Sequence, residues 1–414
     1  MAAMLSLLDR LSLNLMVPAI QSDLGLSDLQ ISLLQGFAFA SLYALAAIPL
    51  GWLVDHVNRR AVVGAGVAFW SLMTAASGLT AGFPQLFLAR VGVGFGEAAL
   101  QPASQSLIAD LFTSQELPWA MTVHGIGSVL GAAVAFAVGG AVIAEISALP
   151  PLMIPVLGPL AAWQTSFIVL GVPGLLLAPL IAVLVREGPR RRVSPPAGEF
   201  ATFARGNAVT LALLFGGISL LMASSAASSA WLPTFLLRRF GWQAGQTGLV
   251  LGAVVLTGTA PGGLACGWLA ARWTRRGRAD AALRVMVRAH LIAAPFEFLP
   301  FLMPKPAAFF TMIAPAVVLG AAYVGLAASA VQAITPQGFR GRVAGFHLLV
   351  TSLSGMTAGP LLVALLTEKL FADEAMLGLS LGLAALGLTV AGIAMLAAAG
   401  PAYRRALTAL PAGG

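Results

Sequence analysis

Gly51-Trp52-Leu53-Val54-Asp55-His56-Val57-Asn58-Arg59-Arg60 closes one apolar run, and Gly267-Trp268-Leu269-Ala270-Ala271-Arg272-Trp273-Thr274-Arg275-Arg276 closes another about half the chain further on. Both strings begin Gly-Trp-Leu and carry Arg-Arg at the same offset. Each sits at the end of the second apolar run of its half, so sequence, register and position agree together. Parallel repeats of six apolar segments are one architecture of secondary transporters.

Outward from these strings, apolar segments run near 1–22, 29–54, 61–82, 84–109, 119–146, 164–185, 208–236, 244–271, 285–303, 306–334, 343–367 and 375–399. A spanning helix needs about 20 apolar residues, so the expected fold class is all-α transmembrane, with about twelve helices in two pseudo-symmetric six-helix halves. The halves are an N-terminal bundle over 1–185 and a C-terminal bundle over 208–400, followed by a tail over 401–414. A linker over 186–207, holding Arg190-Arg191-Arg192 and Pro195-Pro196, joins them. Residues 147–163 read as a longer proline-rich loop able to dip back into the membrane.

Composition excludes the soluble classes. The 414 residues are 59% hydrophobic and 9% charged, with a mean hydropathy of +0.92, against about 25% charged residues in soluble domains. The 46 glycines and 25 prolines suit membrane helices, where close packing and kinks are tolerated. Cys266 is the single cysteine, so neither a disulfide framework nor a cysteine metal site is expected. The net charge of +8 is a topological signal. With the N-terminus inside, most basic residues fall in inner connections and the tail, and only Arg238, Arg239, Lys305 and Lys369 fall in outer ones. This is the positive-inside pattern with both termini cytoplasmic, and it argues against a nucleic-acid partner. No nucleophile–base constellation, metal-ligand spacing or Walker loop stands out; no enzyme activity, cofactor or metal is expected.

The first span starts almost at Met1, so either it is a short helix or the true start lies upstream. Asp9 falls roughly 12 Å into it at about 1.5 Å per residue, near the middle of a core about 30 Å thick. Within the spans the ionisable residues are Asp9, Arg10, Arg90, Glu97, Glu297 and the histidines His124, His290 and His347. A charge at the bilayer centre costs a few kcal/mol or more, so it normally faces a cavity or a partner. Arg90 and Glu97 are nearly two turns apart and share a face of span 4, beside Gly92-x-x-x-Gly96, a close-packing motif. A carboxylate whose arginine can be taken over by a substrate anion binds or releases a proton as substrate arrives. Asp9 and Glu97 are therefore the expected proton-coupling residues, and Arg10 and Arg90 the expected anion contacts. The alternative is a static buried network that fixes helix packing. Glu297, alone near a span end, is expected to reach the headgroups, with a second proton site as the alternative. The histidines read as packing or hydrogen-bonding residues.

Over essentially its whole length the chain resembles the major facilitator superfamily. The first quoted string is similar to that superfamily's loop Gly-x-Leu-x-Asp-(Arg/Lys)-x-Gly-Arg-(Arg/Lys) between spans 2 and 3. Asp55 stands at the acidic position, His56 and Asn58 depart from the pattern, and Ala271 replaces the acid in the second copy. The resemblance implies a conformational latch made by Gly51, Asp55, Arg59 and Arg60. For Arg59 and Arg60 the other reading is topology anchors.

Asp9-Arg10 in span 1, with Arg90 to Glu97 in span 4, resembles the spinster-type branch and, almost equally, the anion:cation symporter branch. Gly96-Glu97-Ala98-Ala99-Leu100-Gln101-Pro102-Ala103 through Ser106 to Phe112 is closer to the spinster pattern. Ser6-Leu7 replaces the Asn-Tyr usual there, and Thr113 to Trp119 lacks the usual arginine. Span 5 carries Gly127-x-x-x-Gly131 and Gly139-Gly140 without the proline of the exporter signature. Since spans 1, 4, 7 and 10 line the cavity in such families, Ser225, Ser229, Tyr323 and Gln332 are implied substrate contacts, helix packing being the other reading.

The reading is a proton-coupled, alternating-access transporter of an amphipathic anion or zwitterion, lysolipid- or sphingoid-like or an aromatic acid. Its partners are a small-molecule substrate, protons and the lipid bilayer, and it acts as a monomer in a bacterial inner membrane. The alternatives are a proton symporter of small organic or sugar acids, and a non-transporting sensor or scaffold of the same fold.

Overall fold

The computed structural model describes residues 2–111, 117–155, 158–184, 197–336 and 339–409. Helices dominate: α1 (Ala2–Leu24), α2 (Asp28–Ser32), α3 (Ala38–His56), α4 (Arg59–Ser77), α5 (Phe83–Glu97), α6 (Leu100–Leu111), α7 (Leu117–Ala148), α8 (Ala162–Leu184) and α9 (Ala197–Gly206). They continue as α10 (Ala208–Phe240), α11 (Ala244–Val254), α12 (Ala260–Arg275), α13 (Ala281–Ala293), α14 (Pro306–Gly320), α15 (Ala322–Ala333), α16 (Arg340–Val350), α17 (Met356–Leu365) and α18 (Leu377–Ala409). Several adjoining helices run on through π-helical turns, as α2 does into α3 across Leu33–Phe37.

Eleven helices among the described residues are long and apolar enough to cross a membrane. The expected fourth span is present as α5 and α6, parted by a turn at Ala98–Ala99. At 15 and 12 residues, each piece is too short to cross a membrane alone, which accounts for eleven rather than twelve.

Local chemistry sets the ends. Ser27 and Gln30 form a reciprocal capping box at the start of α2, which satisfies two backbone donors that a helix N-terminus otherwise leaves open. Asn58 accepts from the Ala61 N–H at the start of α4. The asparagine that departs from the family loop thus has a capping role here. Pro295 and Pro300 end α13, and the chain continues in two 3-10 turns, Ala294–Glu297 and Leu299–Leu302.

Three segments differ from their sequence reading. Residues 147–163, read as a longer loop, hold a short antiparallel hairpin, Leu152–Ile154 with Gly158–Leu160. Its strands expose Leu152 and Met153. The second part of the 186–207 stretch is the helix α9, whose Phe200 and Phe203 rings pack on Phe339. The 401–414 tail begins as helix, because α18 runs on to Ala409, with Tyr403 buried and donating to the Ala330 carbonyl at 2.9 Å.

The chain divides into two compact units. The first comprises Met1–Arg191, Ser229–Leu256 and Thr367–Ala375; the second comprises Arg192–Ser228, Thr257–Leu366 and Met376–Gly414. Inside the first, Trp70, Trp163, Phe39, Phe167, Leu13 and Ile20 are fully buried; Met286, Phe309, Ala330 and Tyr403 are buried in the second. Leu88, Leu176 and Val183 are exposed on helix faces, whereas Asp9, Arg90 and Glu97 are at most 2% exposed. Apolar faces outside and charges within are the arrangement that hydrocarbon stabilises and water does not.

Candidate functional site

The first unit gathers Asp9, Arg10, Arg90 and Glu97 into one cluster. Asp9 and Arg10 come from α1, Arg90 and Glu97 from α5, and all four lie within electrostatic reach of one another. The pairing is not the one that sequence adjacency suggests. Arg10 Nη2 donates to Glu97 Oε2 at 2.5 Å, and the Ser6 hydroxyl donates to the same oxygen at 2.5 Å. Ser6 sits one helical turn before Arg10, whose Nη2 also reaches the Ser6 Oγ at 3.2 Å. Neighbouring helix positions point about 100° apart, whereas positions i and i+4 share a face. Arg10 therefore turns with Ser6 towards α5, and Asp9 points elsewhere.

Arg90 reaches the backbone carbonyl of Asp9 at 3.5 Å through Nη2. Among the described residues its Nε and Nη1 have no hydrogen-bond partner, and neither do Asp9 Oδ1 and Glu97 Oε1. Buried polar atoms are nearly always paired; with the Nε of Arg10, this cluster has five open positions among the described residues.

Aromatic rings complete the site. The Arg10 guanidinium lies 4.1 Å from the Phe39 ring centroid and 5.8 Å from that of Tyr43, both on α3. Such stacking holds a cation without neutralising it. One further turn along α1, Asn14 Oδ1 accepts from Gln35 at 3.2 Å, while its amide donates to the Ser229 carbonyl at 3.0 Å. Gln35 also donates to the Ala230 carbonyl. Sequence reasoning missed Ser6, Phe39, Tyr43, Asn14 and Gln35. Only the i, i+4 series Ser6, Arg10, Asn14 on α1 was there to be noticed.

The other predicted contacts are dispersed. Ser229 lies in the first unit and engages through its carbonyl. Ser225 and Tyr323 lie in the second unit and interact with each other. The Tyr323 ring stands 6.2 Å from that of His290. Gln332 is exposed near the end of α15. Of the latch residues, Gly51 and Asp55 fall in α3 with side chains outside the described residues, as is that of His124. Arg59 is buried at the start of α4, and Arg60 lines a cavity of about 230 Å³ with Ala2, Leu100 and Ser104. Glu297, for which a headgroup contact was the expectation, has two hydroxyl partners. Its Oε2 accepts from the Thr389 hydroxyl at 2.6 Å and from that of Ser224 at 3.0 Å, because the 3-10 turn after α13 aims it at α10 and α18.

A second ionic cluster, also in the first unit, was not expected. Arg238, in the last turn of α10, bonds Asp28 at 3.0 Å and donates to Oε1 of the Gln21 side chain at 2.8 Å, and approaches Glu374 at 3.4 Å. Gln21 in turn donates to Asp28 at 2.8 Å, and Glu368 accepts from the Leu29 N–H. Asp28 is buried and Arg238 only partly so. Removing one partner of a fully buried pair costs about 3–5 kcal/mol; partial solvent contact should reduce this to roughly 2 kcal/mol for Arg238→Ala. Thermal unfolding in detergent should show that loss, with Asp28→Asn restoring part of it. An unchanged melting temperature would leave the pair without structural weight.

Helices with apolar outer faces, and a charged cluster buried among them, define an integral membrane protein of the transporter class. The family model of the Major Facilitator Superfamily matches residues 1–360. The chain belongs to that superfamily, and its fold is the superfamily's fold. A "Probable L-galactonate transporter" of Escherichia coli is 31% identical over 280 residues, covering 63% of this chain and 57% of that protein. An "MFS-type efflux pump" of Mycolicibacterium smegmatis is 26% identical over 372 residues, covering 89% of this chain and 83% of the other. Among solved structures, a bacterial homologue of the human lysosomal transporter Spinster, inward-facing and unoccupied, is 25% identical with a TM-score of 0.76. That match covers 98% of this chain and 95% of the homologue. The chain thus stands near the spinster branch.

Proposed function

We propose that this protein is a proton-coupled secondary transporter of an organic anion, with coupling at Asp9, Arg10, Arg90 and Glu97. One observation carries the reading: Arg10 is bound to Glu97 while the Nε and Nη1 donors of Arg90 stand unpartnered beside Asp9. With both carboxylates ionised, the four groups sum to zero charge. A proton on Glu97 removes the partner of Arg10, and one on Asp9 frees the field around Arg90. Each proton adds one positive charge, which a carboxylate or phosphate head can neutralise. Proton and anion then occupy the cluster together, which is the linkage that coupling requires. One proton with a monoanion moves no net charge.

Phe39 and Tyr43 flank Arg10 with apolar ring faces, which favours an amphipathic anion or zwitterion over a wholly polar one. A specific observation supports a second reading. Asn14 and Gln35 sit one turn beyond Arg10, the Oε1 of Gln35 is buried without a partner among the described residues, and a relative is named for L-galactonate. That combination suits a hydroxylated acid.

The working protein on this reading is a monomer of a bacterial inner membrane, with cytoplasmic termini and two six-helix halves, 1–185 and 208–400, working by alternating access. Gly51, Asp55, Arg59 and Arg60 latch one state. Ser225, Ser229, Tyr323 and Gln332 contribute further substrate contacts as the halves move.

The test is flux in proteoliposomes under an imposed pH gradient of either sign, with lysolipids, aromatic acids and sugar acids as probes. At least one anion should accumulate against its gradient only when protons run down theirs. Accumulation of sugar acids alone would replace the amphiphile reading by the hydroxylated-acid one. No proton-driven flux of any anion would leave the scaffold alternative standing.

A further inference from the structure

The second unit contains a polar group that the four-residue cluster does not use. Glu297 Oε2, the Ser224 hydroxyl of α10 and the Thr389 hydroxyl of α18 meet within hydrogen-bonding distance, and Ser224 Oγ also reaches the Ala385 carbonyl at 3.2 Å. Thr389 lies one turn beyond Ala385 on the same helix face, so three elements converge on one carboxylate.

Among the described residues, no counter-charge accompanies it. The elements packed against the 3-10 turn that bears Glu297 are α13, α14, α18 and the following turn. Their titratable groups are Arg284, Arg288 and His290 on α13, and Tyr403, Arg404 and Arg405 at the end of α18; α14 and residues 208–228 of α10 have none. His290 is nearly two turns before Glu297, with its Nδ1 held by the Met286 carbonyl at 2.9 Å. Arg284 and Arg404 pair with Asp280. Among the described residues, the Thr389 and Ser224 hydroxyls are the side chains that bond the Glu297 carboxylate.

The hydroxyl geometry suits a group that changes protonation state. A hydroxyl both donates and accepts. When Glu297 is ionised, Ser224 and Thr389 donate to it. When it is protonated, Glu297 donates to Ser224 Oγ, and the Ser224 proton turns to the Ala385 carbonyl already in reach. Every polar atom named keeps a partner in both states, so neither state incurs the penalty of an orphaned buried group. A static structural carboxylate in a membrane span is expected to have a cation beside it.

We propose that Glu297, with Ser224, Thr389 and the Ala385 carbonyl, is a second proton-binding site of this protein, seated in the unit that lacks Asp9 and Glu97. The proposal extends the proton-coupled reading but is tested without transport. Infrared difference spectra of the full chain in lipid, recorded between acid and alkaline pH, should contain the C=O stretch of a protonated carboxyl. That band should be lost in Glu297→Gln and kept in the double variant Asp9→Asn, Glu97→Gln. Ser224→Ala and Thr389→Val keep the carboxyl and should move the band to higher frequency, since the group then makes fewer hydrogen bonds. Their elution and melting profiles report whether the fold is intact. A band identical in Glu297→Gln overturns the site, as does one that responds to sodium at fixed pH. Retention of the Glu297 band alongside absent proton-driven flux would sink the coupling reading and leave this site in place.

Discussion

Glu97→Gln should abolish proton-driven accumulation while leaving exchange of labelled for unlabelled substrate measurable. The amide still accepts from Ser6 and still fills the space beside Arg10, so packing is kept. What it lacks is the charge that Arg10 Nη2 meets at 2.5 Å. The variant is fixed in the electrostatic state that a proton creates in the parent protein, with Arg10 open to the substrate anion at every pH. Exchange needs only binding and reorientation, whereas accumulation needs binding to depend on the proton. Coupling free energies are about 1–3 kcal/mol, or roughly 5–150-fold in affinity, so the pH dependence of substrate binding should fall by about that factor. Asp9→Asn should also lose accumulation, but with the Arg10–Glu97 pair intact it should bind anion less readily than Glu97→Gln. Accumulation in Glu97→Gln with an unaltered pH profile would move the coupling role to Asp9 alone.

The membrane fold was legible in the sequence because length and hydropathy suffice for it. An apolar run of about 20 residues has few alternatives to a spanning helix. Asp9, Arg10, Arg90 and Glu97 were legible for the same reason, since charge stands out against leucine and alanine. Their partners were not. Phe39 and Tyr43 are ordinary residues in an apolar run, and only the packing of α3 beside α1 and α5 brings them to Arg10. The choice between Asp9 and Glu97 as the partner of Arg10 depends on helix rotation, which linear spacing does not encode. The break at Ala98–Ala99 was hidden too, because alanine is a strong helix former and no proline marks the place. The Ser224 and Thr389 partners of Glu297 were hidden as well, because they depend on the 3-10 turn Ala294–Glu297 that holds Pro295.

Gly94→Ala should inactivate the transporter and destabilise it, although alanine in a helix ordinarily stabilises by about 0.8–1.0 kcal/mol over glycine. Gly94 lies between Arg90 and Glu97, at the contact of α5 with α3. A Cβ there would stand 2.2 Å from the Phe39 carbonyl oxygen and 3.0 Å from the Phe39 carbonyl carbon. Both are backbone atoms, so no side-chain rotation relieves the overlap and the helices must separate. Overpacking of this kind costs about 1–3 kcal/mol and sometimes more, which exceeds the helix-propensity gain and sets the sign. The displacement acts directly on the site, because Phe39 is the ring beneath Arg10 and Glu97 follows Gly94 by less than a turn. Moving α5 off α3 stretches the Arg10–Glu97 pair and unseats the guanidinium in the same motion. Gly127→Ala in α7 is the matched control, since a Cβ at Gly127 meets nothing within 4 Å among the described residues. The control should melt at or above the parent temperature and transport normally, while Gly94→Ala melts lower and accumulates no substrate. Equal melting of the two variants would mean that α3 and α5 can part without cost. The close approach at Gly94 would then not be what holds Arg10 and Glu97 together.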